Sequence, residues 1–147
     1  MKNFDSLKWN LLNWLIQFLF PHINHISTEE LALLLSDKEE RQPLILDARN
    51  KIEYAISHLK EASLIPYDSP DIKSLVQCSL NTPIITYCSV GYRSAILAQR
   101  LQKMGYKKVF NLQGSLFLWF SENRPIVCGE EIVSYIHPFN LFWSLWL

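Results

Sequence analysis

The first twenty residues carry polar side chains at Asn3, Ser6, Asn10, Asn13 and Gln17, at spacings of 3, 4, 3 and 4. That recurrence predicts a helix with one narrow polar stripe. Most of the positions around the stripe are apolar, from Phe4, Leu7 and Trp9 to Phe18, Leu19 and Phe20, and Pro21 is expected to end the helix. The uninterrupted part, Leu11 to Phe20, is too short to span a bilayer, and no small-residue cleavage site follows it. It therefore reads neither as a transmembrane helix nor as a signal peptide. Two placements fit: packing on the rest of the protein or on a sister subunit, or lying in a membrane interface. Amides in place of a row of Lys and Arg on the polar stripe favour the first.

From Ile26 onward helical and strand patterns alternate. Ser27 followed by Glu30 forms a capping box that opens a helix through Leu31, Leu34 and Leu35. Pro43 to Asp47 is an unbroken apolar run ending in a carboxylate, which predicts a short buried strand. Asn50 to Ile56 can make two helical turns, Ala62 to Ile65 is a brief apolar piece, and Ser69-Pro70 looks like a cap followed by a first helical residue, leading through Leu75 and Val76. Pro83 to Cys88 is the strongest strand signal, rich in β-branched and aromatic residues. An amphipathic helix follows over Ser94 to Met104, stopped by Gly105. Then come a strand at Val109 to Leu112 and a short helix from Gly114 to Glu122.

Strands separated by helices of this length predict an α/β fold, a mostly parallel central sheet with helices on both faces. The last dozen residues, from Ile136, include Phe139, Phe142, Trp143 and Trp146 with almost no charge, and such a surface is not left in water. The chain thus divides into an amphipathic N-terminal helical extension over 1–24, an α/β domain over 25–128, and an apolar C-terminal tail over 129–147. Both ends are expected to pack together or to form an oligomer or peripheral membrane contact.

At 147 residues one hydrophobic core is expected, without a second full domain. Lys+Arg and Asp+Glu are both 14, so the formal charge is zero and the basic excess of a nucleic-acid binder is missing. Three cysteines, Cys78, Cys88 and Cys128, fit neither a disulfide framework nor paired zinc knuckles, which leaves at least one free thiol and makes the cytoplasm the natural compartment. Cys78 falls in the helix after Ser69, and Cys128 follows the domain. His22 and His25 lack thiol or carboxylate partners nearby, so no metal site is expected.

Chemistry concentrates in the loop Cys88-Ser89-Val90-Gly91-Tyr92-Arg93. A loop that leaves a strand and opens into a helix turns backbone N–H groups inward above the positive end of the helix dipole, which makes an anion cradle. A cysteine placed first in it is favoured as thiolate, the nucleophilic form. Gly91 permits tight curvature, and Arg93 is expected to add a fixed charge and a planar fork of donors. Tyr92 is the loop side chain expected to face an incoming substrate.

With those residues in place, the sequence resembles the rhodanese family over roughly residues 25 to 127. The resemblance runs through Ser27-Thr28-Glu29-Glu30-Leu31, Leu46-Asp47-Ala48-Arg49, Glu53-Tyr54, His58, Ala62, Ile65-Pro66, the Cys88 loop with Ser94-Ala95, Gly105-Tyr106, and Leu112-x-Gly114 with Trp119. It departs at Ser57, Glu61 and Ser115, where glycine is common, and at Leu64, where asparagine is common. The resemblance implies a sulfurtransferase that carries sulfane sulfur on Cys88 as a persulfide, taken from a small donor such as thiosulfate and passed to a thiol or cyanide acceptor or to a protein. It implies no cofactor. Asp47, Arg49, Glu53 and His58 then read as supports: Arg49 and Glu53 are spaced i, i+4 for an ion pair, Asp47 accepts from Arg49 or nearby backbone, and His58 is a packed, hydrogen-bonded histidine.

Two other functions fit less well. Phosphatases and arsenate reductases of related fold place five residues between cysteine and arginine. Here Cys88 and Arg93 enclose four, and Tyr87 stands where those phosphatases have histidine. A non-catalytic or redox-sensing interaction module is the other alternative, and loss of the cysteine, its cheapest sign, is not seen.

Overall fold

The computed structural model describes residues 2–138, and side chains from Ser6 onward. The aromatic tail expected from Phe139 lies outside the described residues. The helix expected at the start is α1, Lys2–Leu19, and it leads directly into a three-residue strand, β1, Asn24–Ile26. Next come α2 (Thr28–Ser36), β2 (Leu44–Asp47), α3 (Lys51–Ile56), β3 (Ser63–Leu64) and α4 (Ile72–Leu75). The chain continues with β4 (Ile84–Tyr87), α5 (Tyr92–Lys103), β5 (Val109–Leu112), α6 (Ser115–Ser121), β6 (Ile126–Cys128) and β7 (Glu131–Val133).

Five strands form one parallel sheet in the order β1-β5-β4-β2-β3. The expected α/β class is therefore what the chain adopts. β4 sits at the centre, and its neighbours are β5, which follows it, and β2, which precedes it. The carboxyl end of β4 is thus a topological switch point, where connections leave in opposite directions and open a crevice.

Side-chain alternation divides the core in two. Leu46, Ala48, Ile84 and Val109 point to one face, against Ala95, Leu97, Ala98 and Leu101 of α5 and Ile72 of α4. Ile45, Ile85, Tyr87 and Leu112 point to the other, against Leu31 of α2 and Leu116 and Trp119 of α6.

Several expectations need correcting. Asp71, whose side chain accepts from the Ser74 N–H, caps α4, not Ser69 with Pro70. The Asp71 carboxylate, two residues downstream of the serine, accepts a free N–H of the first turn, and the helix starts after it at Ile72. Cys78 lies past the end of α4, in a bend packed on the α5 side of the core, and not in a helix. The boundary placed at 128 falls inside an antiparallel hairpin, β6 with β7, which is tied back to the domain by a bridge between Val127 and His58. Residues 129 to 133 are thus part of the folded unit. β1 likewise crosses the boundary placed at 24, pairing with β5 from Asn24 to Ile26.

α1 packs on this domain through Trp9 and Ile16, with Phe20 just beyond it, all buried. Leu7, Leu11, Trp14 and Phe18 on its other side are 61–67% exposed. The polar stripe is split: Asn10 and Gln17 face outward, while Asn13 turns inward, its Oδ1 buried.

Candidate active site

β4 delivers Cys88 to the switch point. Gly91 caps α5 in a left-handed conformation, φ 115°, which costs glycine little and a side chain much. Its N–H donates to Cys88 Sγ at 3.1 Å. α5 begins at Tyr92, two residues earlier than its apolar periodicity suggested, so the positive end of its dipole lies beside the sulfur.

α6 sets the orientation of the loop. The Cys88 carbonyl accepts from the Leu116 N–H at 3.0 Å and the Ser89 carbonyl from the Phe117 N–H at 2.9 Å. In a trans peptide C=O and N–H point in opposite directions, so these two bonds turn the Ser89 and Val90 N–H groups away from α6. Ser115, where the resemblance expects glycine, adopts φ 51°, and its hydroxyl accepts the Cys88 N–H at 3.3 Å and donates to the Leu112 carbonyl at 2.9 Å. Glu61, another departure from glycine, also has a positive φ of 65°. Both positions keep the glycine-type backbone with a side chain attached, so the departures cost some strain without redirecting the chain.

Arg93 does not hold its fork open toward the cradle. Glu53 binds it with two hydrogen bonds of 2.8 Å, and Nη2 also donates to Ser89 Oγ at 3.0 Å. Burial by itself would lower the Arg93 guanidinium, but the Glu53 hydrogen bonds and electrostatic interaction with Cys88 and Glu53 raise it overall. The expected Arg49–Glu53 pair is accordingly absent. Arg49 precedes the helix and is not on it, since Asn50 is the cap of α3, so the i, i+4 spacing has no helical meaning there. Arg49 instead grips Asp47 through Nε and Nη2, at 3.0 and 2.8 Å, and donates to the Ser57 carbonyl at 2.6 Å. Both members of this pair are fully buried. Burial would lower the Arg49 guanidinium, and the hydrogen bonds and charge of Asp47 more than reverse it.

Tyr87, on the opposite side of β4 from Cys88, completes that cluster. Its hydroxyl donates to Asp47 Oδ2 at 2.7 Å and accepts the Leu59 N–H at 3.0 Å. Burial, and then the charge of Asp47, push its phenol well above the usual range. His58 is stacked on Tyr54 at 3.9 Å, with Nδ1 2.9 Å from the Tyr54 carbonyl.

Sequence reasoning gave no site role to Thr86, Asn111, Ser115 or Tyr87, naming the last two only as departures from related patterns, and placed Ser94 only at the helix start and within the resemblance. The structure gathers the first three of these around the loop, together with Ser94 beneath Cys88. A polar residue in an otherwise apolar strand, Asn111 in Val109–Leu112, was the available signal. On the outer side, Trp9 packs with Val90 and Phe117, and Phe20 meets Tyr92 edge to face at 5.7 Å. A Cβ on Gly91 would meet Ile16 at 3.2 Å. α1 is therefore built onto the loop. Tyr92 remains 50% exposed.

The rhodanese-like domain family model matches residues 27–122. Among curated relatives, the chain is 33% identical over 100 residues to a tRNA uridine(34) hydroxylase of Protochlamydia amoebophila, covering 63% of this chain and 30% of the relative. It is 31% identical over 114 residues to the hydroxylase of the same name from Aster yellows witches'-broom phytoplasma, covering 65% of this chain and 37% of that one. The chain thus spans about a third of the length of these relatives. Among solved structures, it is similar to a rhodanese-like domain protein from Staphylococcus aureus, with a TM-score of 0.59, 28% identity and coverage of 66% of this chain and 91% of that one. A thiosulfate sulfurtransferase from Pseudomonas aeruginosa shares the fold, with a TM-score of 0.67, 22% identity and coverage of 84% of this chain and 24% of that one. The family match, the parallel sheet with Cys88 at its switch point and the loop capped by Gly91 agree with one another: the chain belongs to the rhodanese-like domain family.

Proposed function

We propose that this protein is a sulfurtransferase that carries sulfane sulfur as a persulfide on Cys88. The observation that carries the reading is the Cys88 sulfur, held by the Gly91 N–H at the start of α5, at the end of the central strand. In the first half-reaction the Cys88 thiolate attacks the outer sulfur of a small anionic donor such as thiosulfate. A new S–S bond forms, the donor's S–S bond breaks, and sulfite leaves with the electron pair. In the second, a nucleophilic acceptor such as cyanide or a thiol takes the outer sulfur and returns the bonding pair to Cys88. A shared covalent intermediate gives ping-pong kinetics. The loop's N–H groups and helix dipole offset the negative charge on donor and persulfide, so electrostatic stabilisation does more than acid-base help. The free thiols suit a cytoplasmic location.

The test is to incubate the protein with thiosulfate, remove excess donor, and map peptides by mass spectrometry. One added sulfur on the Cys88 peptide is expected. A reduced, alkylatable Cys88 that stays unloaded would overturn the proposal.

A second reading is favoured by the exposed row Leu7, Leu11, Trp14 and Phe18 on α1: Cys88 relays sulfur, or senses redox state, only within an assembly. Among the described residues no helix is long and apolar enough to cross a membrane. The assembly reading expects the full chain to elute above monomer mass or to float with vesicles of mixed neutral and anionic lipid at low salt. A monomer that does neither counts against it.

A further inference from the structure

Beneath the Cys88 sulfur, on the α5 side of the sheet, lies a closed polar cluster that persulfide chemistry as described does not use. Thr86 of β4 and Asn111 of β5 are register partners, and Ser94 of α5 sits above them. All three are buried, at 0 or 1% exposure. Ser94 Oγ is 2.6 Å from Asn111 Oδ1 and 3.4 Å from Cys88 Sγ. Asn111 is itself fixed, because its Nδ2 donates to the Gly91 carbonyl at 3.0 Å, and Thr86 Oγ1 donates to the Ser94 carbonyl at 3.0 Å.

A serine hydroxyl has one proton and two acceptor sites. It cannot donate to Asn111 and to the sulfur at once. We propose that Ser94 is a positioning residue whose hydroxyl proton alternates between Asn111 Oδ1 and Cys88 Sγ according to the charge on the sulfur. With Cys88 as a thiol, Ser94 donates to Asn111 and can accept the S–H. When the thiol proton leaves to solvent, the hydroxyl rotates and donates to the thiolate, and Thr86 Oγ1, 3.5 Å from Asn111 Oδ1, can turn its one proton from the Ser94 carbonyl to Asn111 in its place. Hydrogen bonds to an ionised partner are about twice as strong as neutral ones, so the rotation is favourable only in the thiolate state.

Applied to sulfur transfer, and here resting on the persulfide reading, the same rotation acts on the leaving group. In the loaded state the charge sits on the outer sulfur and Ser94 returns to Asn111. As an acceptor takes the outer sulfur, the S–S bonding pair moves to Cys88 Sγ and Ser94 swings onto it. Discharge is the step that gains most, because the inner sulfur becomes charged only as that bond breaks.

The other charged or titratable groups around the loop are Arg93 with Glu53, the buried Asp47–Arg49 pair with Tyr87, Tyr92 of the loop itself, and His25 of β1, the register partner of Asn111, whose imidazole is lowered by burial. α1, with Phe20 just beyond it, and α6 present uncharged side chains there, Ile16 from the first and Ser115 and Leu116 from the second. None of these groups is altered by a change at Ser94, which isolates the hydroxyl in a pH profile.

The decisive experiment measures alkylation of Cys88 by iodoacetamide against pH, read at the Cys88 peptide, in the full chain and in Ser94→Ala and Ser94→Thr, each checked for cooperative unfolding. Ser94→Ala is expected to move the midpoint to higher pH by roughly one unit, which is tenfold in the thiolate equilibrium. It is also expected to slow discharge of preloaded sulfur to cyanide about tenfold, the loss of one charge-assisted hydrogen bond. Ser94→Thr, which keeps the hydroxyl, restores both. A Ser94→Ala profile that superposes on the parent overturns the proposal, as does a folded Ser94→Thr that behaves like alanine. Because alkylation needs no sulfur donor, a parent protein that alkylates but never loads sulfur would sink the sulfurtransferase reading while the pH profile still decides the role of Ser94.

Discussion

Replacing Cys88 with serine is expected to reduce sulfur transfer to the uncatalysed background, a loss on the order of 10⁴-fold or more, which is the scale seen when a covalent nucleophile is removed. The hydroxyl of Cys88→Ser occupies the same space, accepts from the Gly91 N–H and keeps the loop folded. It ionises far above neutral pH, however, and an S–O bond does not replace a persulfide. Cys78→Ser and Cys128→Ser should keep most of the activity. Cys78 is packed against the α5 side of the core, Cys128 hydrogen-bonds the Ala55 carbonyl at 3.5 Å, and neither shares a described hydrogen bond with Cys88. Steady-state transfer to cyanide, measured beside the added mass on each cysteine peptide, checks the set. Transfer that survives in Cys88→Ser would move the nucleophile elsewhere. Loss of transfer in Cys78→Ser or Cys128→Ser with Cys88 still loaded would point to a relay between thiols.

The sheet and its active loop were legible because their signals are local. The runs at Leu44–Asp47, Ile84–Tyr87 and Val109–Leu112 are apolar and β-branched, and the Cys88 loop falls between a strong strand and an amphipathic helix. What escaped depends on partners distant in sequence. Arg49 and Glu53 look like a pair at four residues' spacing, yet the second takes Arg93, forty positions away, because the fold brings α3 to the loop. Arg93 thereby changes from an open anion clamp into a brace. Asn111 meets Ser94 only through the register of β5 on β4, which no single segment encodes. β1 is three residues long, too short for alternation to declare itself, and the β6–β7 hairpin turns at Gly129, where the end of the resemblance had placed a boundary.

The largest effect on stability is expected at Arg49. In Arg49→Met the Asp47 carboxylate stays fully buried and loses the guanidinium that compensates it, keeping the Tyr87 hydroxyl and the Arg49 backbone N–H, at 3.0 Å, as donors. Removing one partner of a buried ion pair costs about 3–5 kcal/mol, against a total stability of about 5–15 kcal/mol for a domain. At an m value of about 2 kcal/mol/M the urea midpoint should fall by roughly 2 M. Asp47→Asn added to Arg49→Met removes the stranded charge and should recover part of that loss; no recovery would mean that packing of the arginine stem, not charge compensation, sets the cost. The same cluster gives an alkaline signature. Tyr87 has a folded value raised by burial and by Asp47, so above about pH 10 the unfolded chain loses this proton while the folded one keeps it. The unfolded state then binds fewer protons, and stability falls as pH rises from there toward the folded value, whereas below it the contribution is complete. Tyr87→Phe should lower stability at neutral pH, because the Leu59 N–H loses its acceptor, and flatten the alkaline slope. Parent and Tyr87→Phe proteins that lose stability in parallel above pH 10 would show that the hydroxyl of Tyr87 does not hold the end of β4 to Asp47 in the way its geometry implies.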